Sequence, residues 1–318
     1  MTETAWPDAA RIVEVGPRDG LQNEAVLIAT TDKAAFIRGL IACGLREIEA
    51  TSFVNPKAIP QLADADSLMA LLTDAPEAKA SDVCLSALAA NERGLDRALA
   101  SGVSRIALFT AASDAFAERN IGQNVAQSLE TFSRLAQRAQ REGVSIRGYV
   151  STCFVCPYQG EIEPEAVLHV SEALLTMGAD EVSLGDTVGL AVPTDIERLL
   201  TRMLKTLPAQ RLALHCHDTS GTALANITRA MQLGLTTFDA SAGGLGGCPY
   251  APGASGNVAT EDVAYLMQRM GVETGVNLTA LAAVSQRMES LLGRSLPSRQ
   301  LQRLKTKSTP EARASGAD

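Results

Sequence analysis

Residues 211–234, RLALHCHDTSGTALANITRAMQLG, contain one complete strand–helix unit. The short apolar run Arg211–His215 predicts a strand. The amphipathic pattern over Ser220–Leu233 predicts a helix, with its first serine as N-cap and Gly234 as the left-handed residue that follows its last turn. Polar side chains stand between the two elements, so this stretch predicts a βα unit that carries its polar residues at the carboxyl end of the strand.

The same unit recurs eight times along the chain. Strands are predicted over Arg11–Val15, Glu47–Ser52, Asp82–Ala87, Val103–Phe109, Ser145–Ser151, Glu181–Leu184, Arg211–His215 and Thr236–Ala240. Helices are predicted over Asp32–Cys43, Pro60–Leu72, Asn91–Ser101, Val125–Glu142, Pro164–Met177, Pro193–Leu207, Ser220–Leu233 and Asn257–Met270. Eight βα units within residues 11–275 predict the α/β class and a (β/α)8 TIM barrel. An open doubly wound sheet is the alternative, but its usual glycine-rich fingerprint does not match GPRDG at Gly16–Gly20.

The two ends of the chain differ from the barrel pattern. Residues 1–10 are predicted to form an N-terminal lead, in which we find neither a secretory signal nor a transit peptide. Residues 276–304 are predicted to add C-terminal helices to the same domain, and residues 305–318 to form a disordered polar tail. A cytoplasmic location is the expectation.

Composition argues against several classes of partner. The formal net charge is −8 without a basic run, which disfavours a nucleic-acid-binding surface, and only 4% aromatic residues disfavour a base-stacking platform. No apolar run approaches the roughly 18 residues of a membrane span. We therefore expect a small-molecule partner, with no nucleic acid and no membrane, and a homo-oligomer (dimer or tetramer) as an option.

Six cysteines in a chain of this kind are expected to be free thiols. The pair Cys153-x-x-Cys156 has the spacing of half a structural zinc site. A second ligand pair with suitable spacing is not found in the sequence, so buried thiols are the preferred interpretation.

Polar residues collect where the predicted strands end, which is where TIM barrels place their catalytic groups. The clearest motif is His215-x-His217, because residues i and i+2 of a strand face the same side. Asp19 and Asn257 are the available oxygen donors. Two imidazoles with hard oxygen ligands predict a site for Mg²⁺ or Mn²⁺, with Zn²⁺ as an alternative. Cys216 points away from both histidines and is expected in the core.

Three charged residues near these ends allow two interpretations each. Arg18 is either an ion-pair partner of Asp19 or a cation aimed at a substrate oxygen. Glu49, inside the second strand, is either paired with Arg18 in a buried network or a catalytic carboxylate. Asp186 is either a residue that orients the ligands or a base.

A glycine-rich segment follows the eighth strand, AGGLGGCPYAPGASGN at residues 242–257. Such a segment can be an inert flexible loop or a backbone nest for phosphate. Its single thiol, Cys248, suggests a third interpretation, a mobile lid that brings an acid or base to the metal.

Together these segments resemble the 3-hydroxy-3-methylglutaryl-CoA lyase family of pyruvate-carboxyltransferase-like barrels. The likeness runs from about residue 11 to residue 304. Its motifs are VEVGPRDGLQN at residues 13–23, TSFVNPK at 51–57, SLGDT at 183–187, HCHD at 215–218 and the glycine-rich loop. The resemblance implies that Asp19, His215, His217 and Asn257 bind the metal. It further implies that Arg18 binds substrate oxygen, that Cys248 is the loop acid or base, and that Glu49 and Asp186 support catalysis.

The implied reaction is a metal-dependent carbon–carbon cleavage of 3-hydroxy-3-methylglutaryl-CoA, or a close 3-alkyl homologue, to acetyl-CoA and a 3-oxo acid such as acetoacetate. This is the chemistry of leucine degradation and ketone-body formation. Val155 and Gln159 stand where the family commonly has Gly and Glu, which leaves the exact acyl chain open. The alternatives are a Claisen-condensing acyltransferase of the isopropylmalate-synthase type and a non-catalytic acyl-CoA-binding barrel.

Overall fold

Eight parallel strands close into a barrel in the computed structural model, which describes residues 6–73, 82–247 and 256–308. The barrel strands are β1 (Arg11–Glu14), β2 (Glu47–Ser52), β3 (Cys84–Leu88), β4 (Arg105–Ala111), β5 (Ser145–Ser151), β8 (Glu181–Asp186), β9 (Leu212–Cys216) and β10 (Thr237–Ala240). Two further strands, β6 (Val155–Cys156) and β7 (Gly160–Glu161), pair as an antiparallel hairpin. The barrel closes through β1 and β10, so the predicted TIM barrel is confirmed.

Helices surround the barrel and follow its strands. They are α1 (Thr30–Ala42), α2 (Ala65–Thr73), α3 (Glu92–Ala100), α4 (Asp114–Ile121), α5 (Val125–Arg141), α6 (Pro164–Thr176), α7 (Pro193–Met203), α8 (Ala223–Gln232), α9 (Thr260–Arg269), α10 (Leu278–Leu292) and α11 (Arg299–Ser308). None of the described helices is long and apolar enough to cross a membrane.

Strand β8 illustrates how the alternation of side chains builds two layers. Val182 and Leu184 are fully buried in the apolar layer between the barrel and its helices. Ser183, between them, faces the barrel interior, where its hydroxyl donates to Asp239. The described part of the chain thus has its main apolar core outside the strands, while the barrel interior carries polar and charged groups.

Four helices differ from the sequence prediction by three residues or more at one end, because tertiary contacts override local propensity. Helix α7 ends at Met203, four residues before the predicted Leu207. The predicted helix Pro60–Leu72 is broken into a short 3-10 turn, Pro60–Leu62, and α2. At the break, Asp64 accepts hydrogen bonds from Thr30 and Lys33 of α1. Helices α8 and α9 each begin three residues later than predicted.

Helix α4 and the β6–β7 hairpin were not predicted. Helix α4 is only eight residues long, and Ser113 is its N-cap, whose hydroxyl accepts from the Phe116 amide. Each hairpin strand has two residues, too short for a period-two pattern to show.

The C-terminal addition consists of two helices that pack on the barrel's outer layer. Helix α11 continues to Ser308, four residues beyond the predicted boundary at 304, and Lys305 there pairs with Glu289 of α10. The predicted disordered tail therefore begins too early. Residues 309–318 lie outside the described part of the chain.

Candidate active site

A cavity of about 300 Å³ opens at the carboxyl ends of the barrel strands. Its polar lining includes Arg18, Asp19, His215 and His217. Apolar side chains, among them Leu88 and others from β4 and α4, line the remainder. The cavity thus combines one charged side and one apolar side, as small-molecule sites do.

Arg18 and Asp19 lie in a π-helical turn, Gly16–Gly20, that follows β1 directly. The amides of residues 18, 19 and 20 all donate to the carbonyl of Val15, at 3.2, 2.8 and 3.2 Å. The buried Glu14 carboxylate accepts from the Gly16 amide at 2.8 Å. These bonds fix the turn, so two charged side chains of consecutive residues both reach the barrel mouth.

Three ligand groups meet in the cavity. One ligand atom from each of Asp19, His215 and His217 lies within 4.8 Å of the others, and this is the one such group found among the described residues. The imidazole centroids are 5.3 Å apart, as the i, i+2 spacing predicts, and His217 Nε2 is 3.9 Å from Asp19 Oδ2. Two imidazoles and one carboxylate are donors that suit a divalent cation.

Asn257 lies beside this group, but with its amide nitrogen toward it. Its Nδ2 donates to Asp19 Oδ2 at 2.8 Å and to the Leu245 carbonyl at 3.3 Å, and its backbone forms a β-bridge with His217. The side-chain oxygen would face the ligands after a half-turn of the amide group, which exchanges the donor and the acceptor. The structure thus brings the fourth predicted ligand beside the other three, where its side chain is hydrogen-bonded to Asp19.

Arg18 forms the predicted ion pair with Asp19, and it also lines the cavity. Its guanidinium pairs with Asp19 Oδ1 at 2.5 Å and with Glu49 Oε2 at 2.8 Å while it also lines the cavity. Burial alone would raise the pKa of Asp19, but Arg18 and the two histidines outweigh it and hold that pKa below its usual range. The Asp19 side chain is therefore an ionised carboxylate.

Glu49 and Asp186 do not line the cavity. Glu49 is fully buried and accepts from Arg18 and, at 3.2 Å, from the hydroxyl of Tyr149. Asp186 accepts from the amides of Leu190 and Ala191, at 3.2 and 3.1 Å, and burial raises its pKa. Glu49 thus forms the predicted buried network with Arg18, and the Asp186 carboxylate is held by backbone amides just before α7.

Sequence reasoning missed three residues inside the barrel. Arg147 is 1% exposed, and Tyr149 and Asp239 are similarly buried. They connect Glu49 to His215 through hydrogen bonds. The signal that marked Glu49, a charge inside a predicted strand, also marks Arg147 and Asp239.

The two departures from the family pattern lie away from the cavity lining. Val155 is in β6, and Gln159 Oε1 accepts from the Ser113 hydroxyl at 2.9 Å. Ser113 caps α4, the helix that contributes Phe116 to the cavity. Gln159 therefore acts on the apolar side indirectly, through the placement of α4.

Cysteines agree with the sequence interpretation where they are described. Cys43, Cys84, Cys153, Cys156 and Cys216 are all free. Cys216 is 1% exposed and belongs to the apolar core, as predicted. Cys248 lies outside the described residues, as does the rest of the segment 248–255.

Comparisons with known proteins agree with these motifs. The HMGL-like family matches residues 9–288. The chain is 46% identical over 301 residues to hydroxymethylglutaryl-CoA lyase YngG of Bacillus subtilis, covering 95% of this chain and 99% of that protein. It is 45% identical to a Pseudomonas aeruginosa protein named 3-hydroxy-3-isohexenylglutaryl-CoA/hydroxymethylglutaryl-CoA lyase, covering 92% and 96% of the two chains.

A solved structure extends the comparison to the whole fold. An HMG-CoA lyase from Acinetobacter baumannii, in complex with coenzyme A and 3-methylmalate, superposes with a TM-score of 0.87 at 34% identity, and all of both chains is covered. Sequence match, fold and the arrangement of charged residues at the barrel mouth thus agree, and the chain belongs to the hydroxymethylglutaryl-CoA lyase family.

Proposed function

We propose that this chain cleaves 3-hydroxy-3-methylglutaryl-CoA to acetyl-CoA and acetoacetate, with the help of a divalent cation. The observation that carries the proposal is the Asp19–His215–His217 group with Arg18 beside it at the barrel mouth. Membership of the lyase family supports the same reaction. We also propose the acyl-CoA ester as partner and a cytoplasmic location, for which the free thiols are the supporting observation.

The ion that we propose is Mg²⁺ or Mn²⁺, held by Asp19, His215 and His217, with Asn257 as the fourth ligand. Imidazole and carboxylate donors support this choice. When bound, such an ion polarises oxygen atoms of the substrate and makes a hydroxyl easier to deprotonate.

Arg18 is proposed to bind substrate oxygen. Its contacts with Asp19 and Glu49 place a fixed positive charge at the cavity wall, so no reorganisation is needed when negative charge develops on an oxygen during cleavage. The apolar side, which includes Leu88 and Phe109, would exclude water from the enolate that leaves as acetyl-CoA. Cys248 as the group that protonates this enolate is proposed from the sequence alone.

The test is release of acetyl-CoA from 3-hydroxy-3-methylglutaryl-CoA by the purified chain, after removal of metal and again with Mg²⁺ or Mn²⁺ restored. We expect release only with metal. A condensing acyltransferase would instead consume acetyl-CoA in the presence of a 2-oxo acid, and a non-catalytic barrel would bind the ester unchanged. Either result, without cleavage, contradicts the proposal.

The size of the 3-alkyl substituent of the substrate needs a separate experiment, because the Pseudomonas aeruginosa relative is named for two substrates. We propose the 3-methyl compound as the better substrate, since Val155 and Gln159, the two departures from the family pattern, do not line the cavity. A higher kcat/KM for a longer 3-alkyl ester would contradict this. A homo-oligomer also remains a proposal, which light scattering of the purified chain would test.

A further inference from the structure

Asp239 lies in the barrel interior, directly beneath the proposed metal site. It belongs to β10 and is the register partner of His215 in β9. The carboxylate is 1% exposed, and its Oδ2 is 3.2 Å from His215 Nδ1. The contact therefore involves Nδ1 and leaves Nε2 without this partner, in a side chain that lines the cavity.

The position of the Asp239 carboxylate is fixed by further donors. Arg147 Nη2 donates to its Oδ1 at 2.7 Å and Nη1 to its Oδ2 at 3.2 Å, while the Ser183 hydroxyl donates to Oδ2 at 2.8 Å. Arg147 is itself held by Glu181 at 2.8 Å and by the hydroxyl of Tyr149 at 2.5 Å. The carboxylate cannot turn away from His215 without breaking several buried bonds.

A carboxylate with these donors is an acceptor only, so the hydrogen in its contact with His215 belongs to Nδ1. A neutral imidazole carries one hydrogen, which leaves the lone pair on Nε2. One ligand atom of His215 lies within 4.8 Å of ligand atoms of Asp19 and His217, where a cation would bind, and Nε2 is the nitrogen that the contact with Asp239 leaves available. With the opposite tautomer, an N–H group would point at the cation and no bond could form.

We propose that Asp239 is a positioning residue for the metal site, which holds His215 in the tautomer and ring orientation that a cation requires. The inference rests on the proposed metal site but is independent of which reaction the site performs. It assigns a role to a residue that does not line the cavity.

The first test compares Mn²⁺ affinity in two variants that each lose one buried or half-buried carboxylate. In Asp239→Asn, the amide can donate to Nδ1 and so favour the opposite tautomer, and we expect the Kd for Mn²⁺ to rise about 10- to 100-fold. Asp262→Asn is the matched control, because Asp262 accepts three hydrogen bonds at the start of α11, from Ser298, Arg299 and Gln300. Free Mn²⁺ is followed by electron paramagnetic resonance.

A role confined to folding would lower stability in both variants and leave the Mn²⁺ affinity of folded protein unchanged, and that result would overturn the proposal. Should Asp239→Asn not fold, Ser183→Ala removes one donor to the carboxylate, and we then expect a rise in Kd of less than about tenfold. An unchanged Kd in that variant also counts against the proposal.

The second test reads the tautomer directly. The chain has three histidines, so ¹⁵N-histidine labelling gives three imidazoles, and His169→Gln identifies one of them. With Mg²⁺ bound, we expect His215 to carry its hydrogen on Nδ1. A hydrogen on Nε2 would overturn the inference, as would failure of the wild-type chain to bind Mn²⁺ or Mg²⁺. Metal binding without cleavage of the ester would contradict only the proposed function.

Discussion

Tyr149 connects the two charged halves of the site. Its hydroxyl accepts from Arg147 Nη1 at 2.5 Å and donates to Glu49 Oε2 at 3.2 Å. Burial raises its pKa well above the ordinary value, so the hydroxyl is a neutral donor. Through Glu49 it also orients Arg18, whose guanidinium carbon is 5.8 Å from the tyrosine ring centroid.

We therefore expect Tyr149→Phe to lower kcat about tenfold, or about 1.4 kcal/mol, because Glu49 and Arg18 lose a fixed partner. The Kd for Mn²⁺ should stay unchanged, since the contact between Asp239 and His215 is kept. Steady-state kinetics with saturating metal measure the effect. Tyr265→Phe is the control, because Tyr265 stacks with Arg303 on α11 through its ring. Equal kcat in both variants would contradict the role of the hydroxyl.

Cys248 is the residue to which the sequence assigns a specific chemical step, protonation of the enolate. If it protonates the enolate, Cys248→Ala lowers turnover by about 10²-fold or more, in the range of general acid catalysis. The Kd for Mn²⁺ should not change, because the proposed ligands are elsewhere. Cys216→Ala, a change in the apolar core, is the control. Lost metal binding in the Cys248 variant would show that the assignment is wrong.

At the scale of elements, two buried carboxylates hold the 3-10 turn Ala242–Gly244 that follows β10. Glu14 accepts from the Ala242 amide at 2.8 Å, and Glu261 accepts from the Gly243 amide at 2.7 Å. Burial raises the pKa of Glu14 to about 7 and that of Glu261 to about 8. Both are therefore protonated in the folded chain at pH values where the unfolded chain has lost these protons.

The sign of the pH dependence follows from this difference. Between pH 4.5 and about 8 the folded state binds more protons at these groups, so their contribution to the free energy of unfolding falls as pH rises, by up to about 1.4 kcal/mol per pH unit and group. Glu261→Gln, which resembles the protonated acid, should make the decline shallower. Urea unfolding at pH 5, 6.5 and 8 without metal measures it. Glu273→Gln, at an exposed position, is the control, and equal slopes in the two variants would contradict the prediction.

The end of α1 shows where a glycine is required. Gly44 has φ +99°, and a Cβ there would lie 2.0 Å from the carbonyl oxygen of Gly275, in the segment that leads to α10. Gly143, at the end of α5, has φ +72° with no atom within 4 Å of a Cβ. Both glycines thus have the left-handed conformation, but only Gly44 also has a backbone atom where a Cβ would lie.

Gly143→Ala should therefore lower the free energy of unfolding by about 1 kcal/mol, the ordinary cost of the left-handed conformation. Gly44→Ala should cost at least about 2 kcal/mol more, because the backbone of the C-terminal addition must move. Urea denaturation of both variants gives the comparison. Equal losses would mean that the addition is attached loosely to the barrel.

The βα rhythm was predictable because each barrel strand is a short apolar run bounded by turn residues. The side chains at strand ends, such as Asp19 and His215, were predictable for the same reason. Asp239 was not predictable, because its role depends on the register between strands. It is the partner of His215 on the neighbouring strand, and a single sequence does not show which residues become partners. The short helix α4 was missed because eight residues show little periodicity.

At the scale of the whole molecule, charge is arranged in layers inside the barrel. The amino-terminal end carries ion pairs between strands, among them Arg105 with Glu47 at 2.6 Å and Arg147 with Glu181 at 2.8 Å. The carboxyl-terminal end carries the proposed ligands. Arg147 belongs to both layers, because it also pairs with Asp239. The barrel interior is thus a continuous polar network, and its buried charges are paired at both ends.

The proposed ligands also connect parts of the barrel that are distant along the chain. Asp19 follows β1, His217 follows β9, and these strands are separated by β10, the strand that closes the barrel. A cation at this site would therefore be released when the barrel unfolds as a unit, and its binding free energy would add to the stability of the folded chain.

Mn²⁺ at about 100 times its Kd should raise the free energy of unfolding by about 2.7 kcal/mol. His217→Ala should abolish most of this gain, because the variant loses a ligand, whereas His169→Ala, at an exposed position of α6, should keep it. Urea unfolding with and without Mn²⁺, at constant pH, measures the difference. If Mn²⁺ does not raise the free energy of unfolding of the wild-type chain, the prediction that a cation links β1 and β9 is wrong. An equal gain in the His217 variant would remove that residue from the ligand set, because the variant would then bind the cation as tightly as the wild-type chain does.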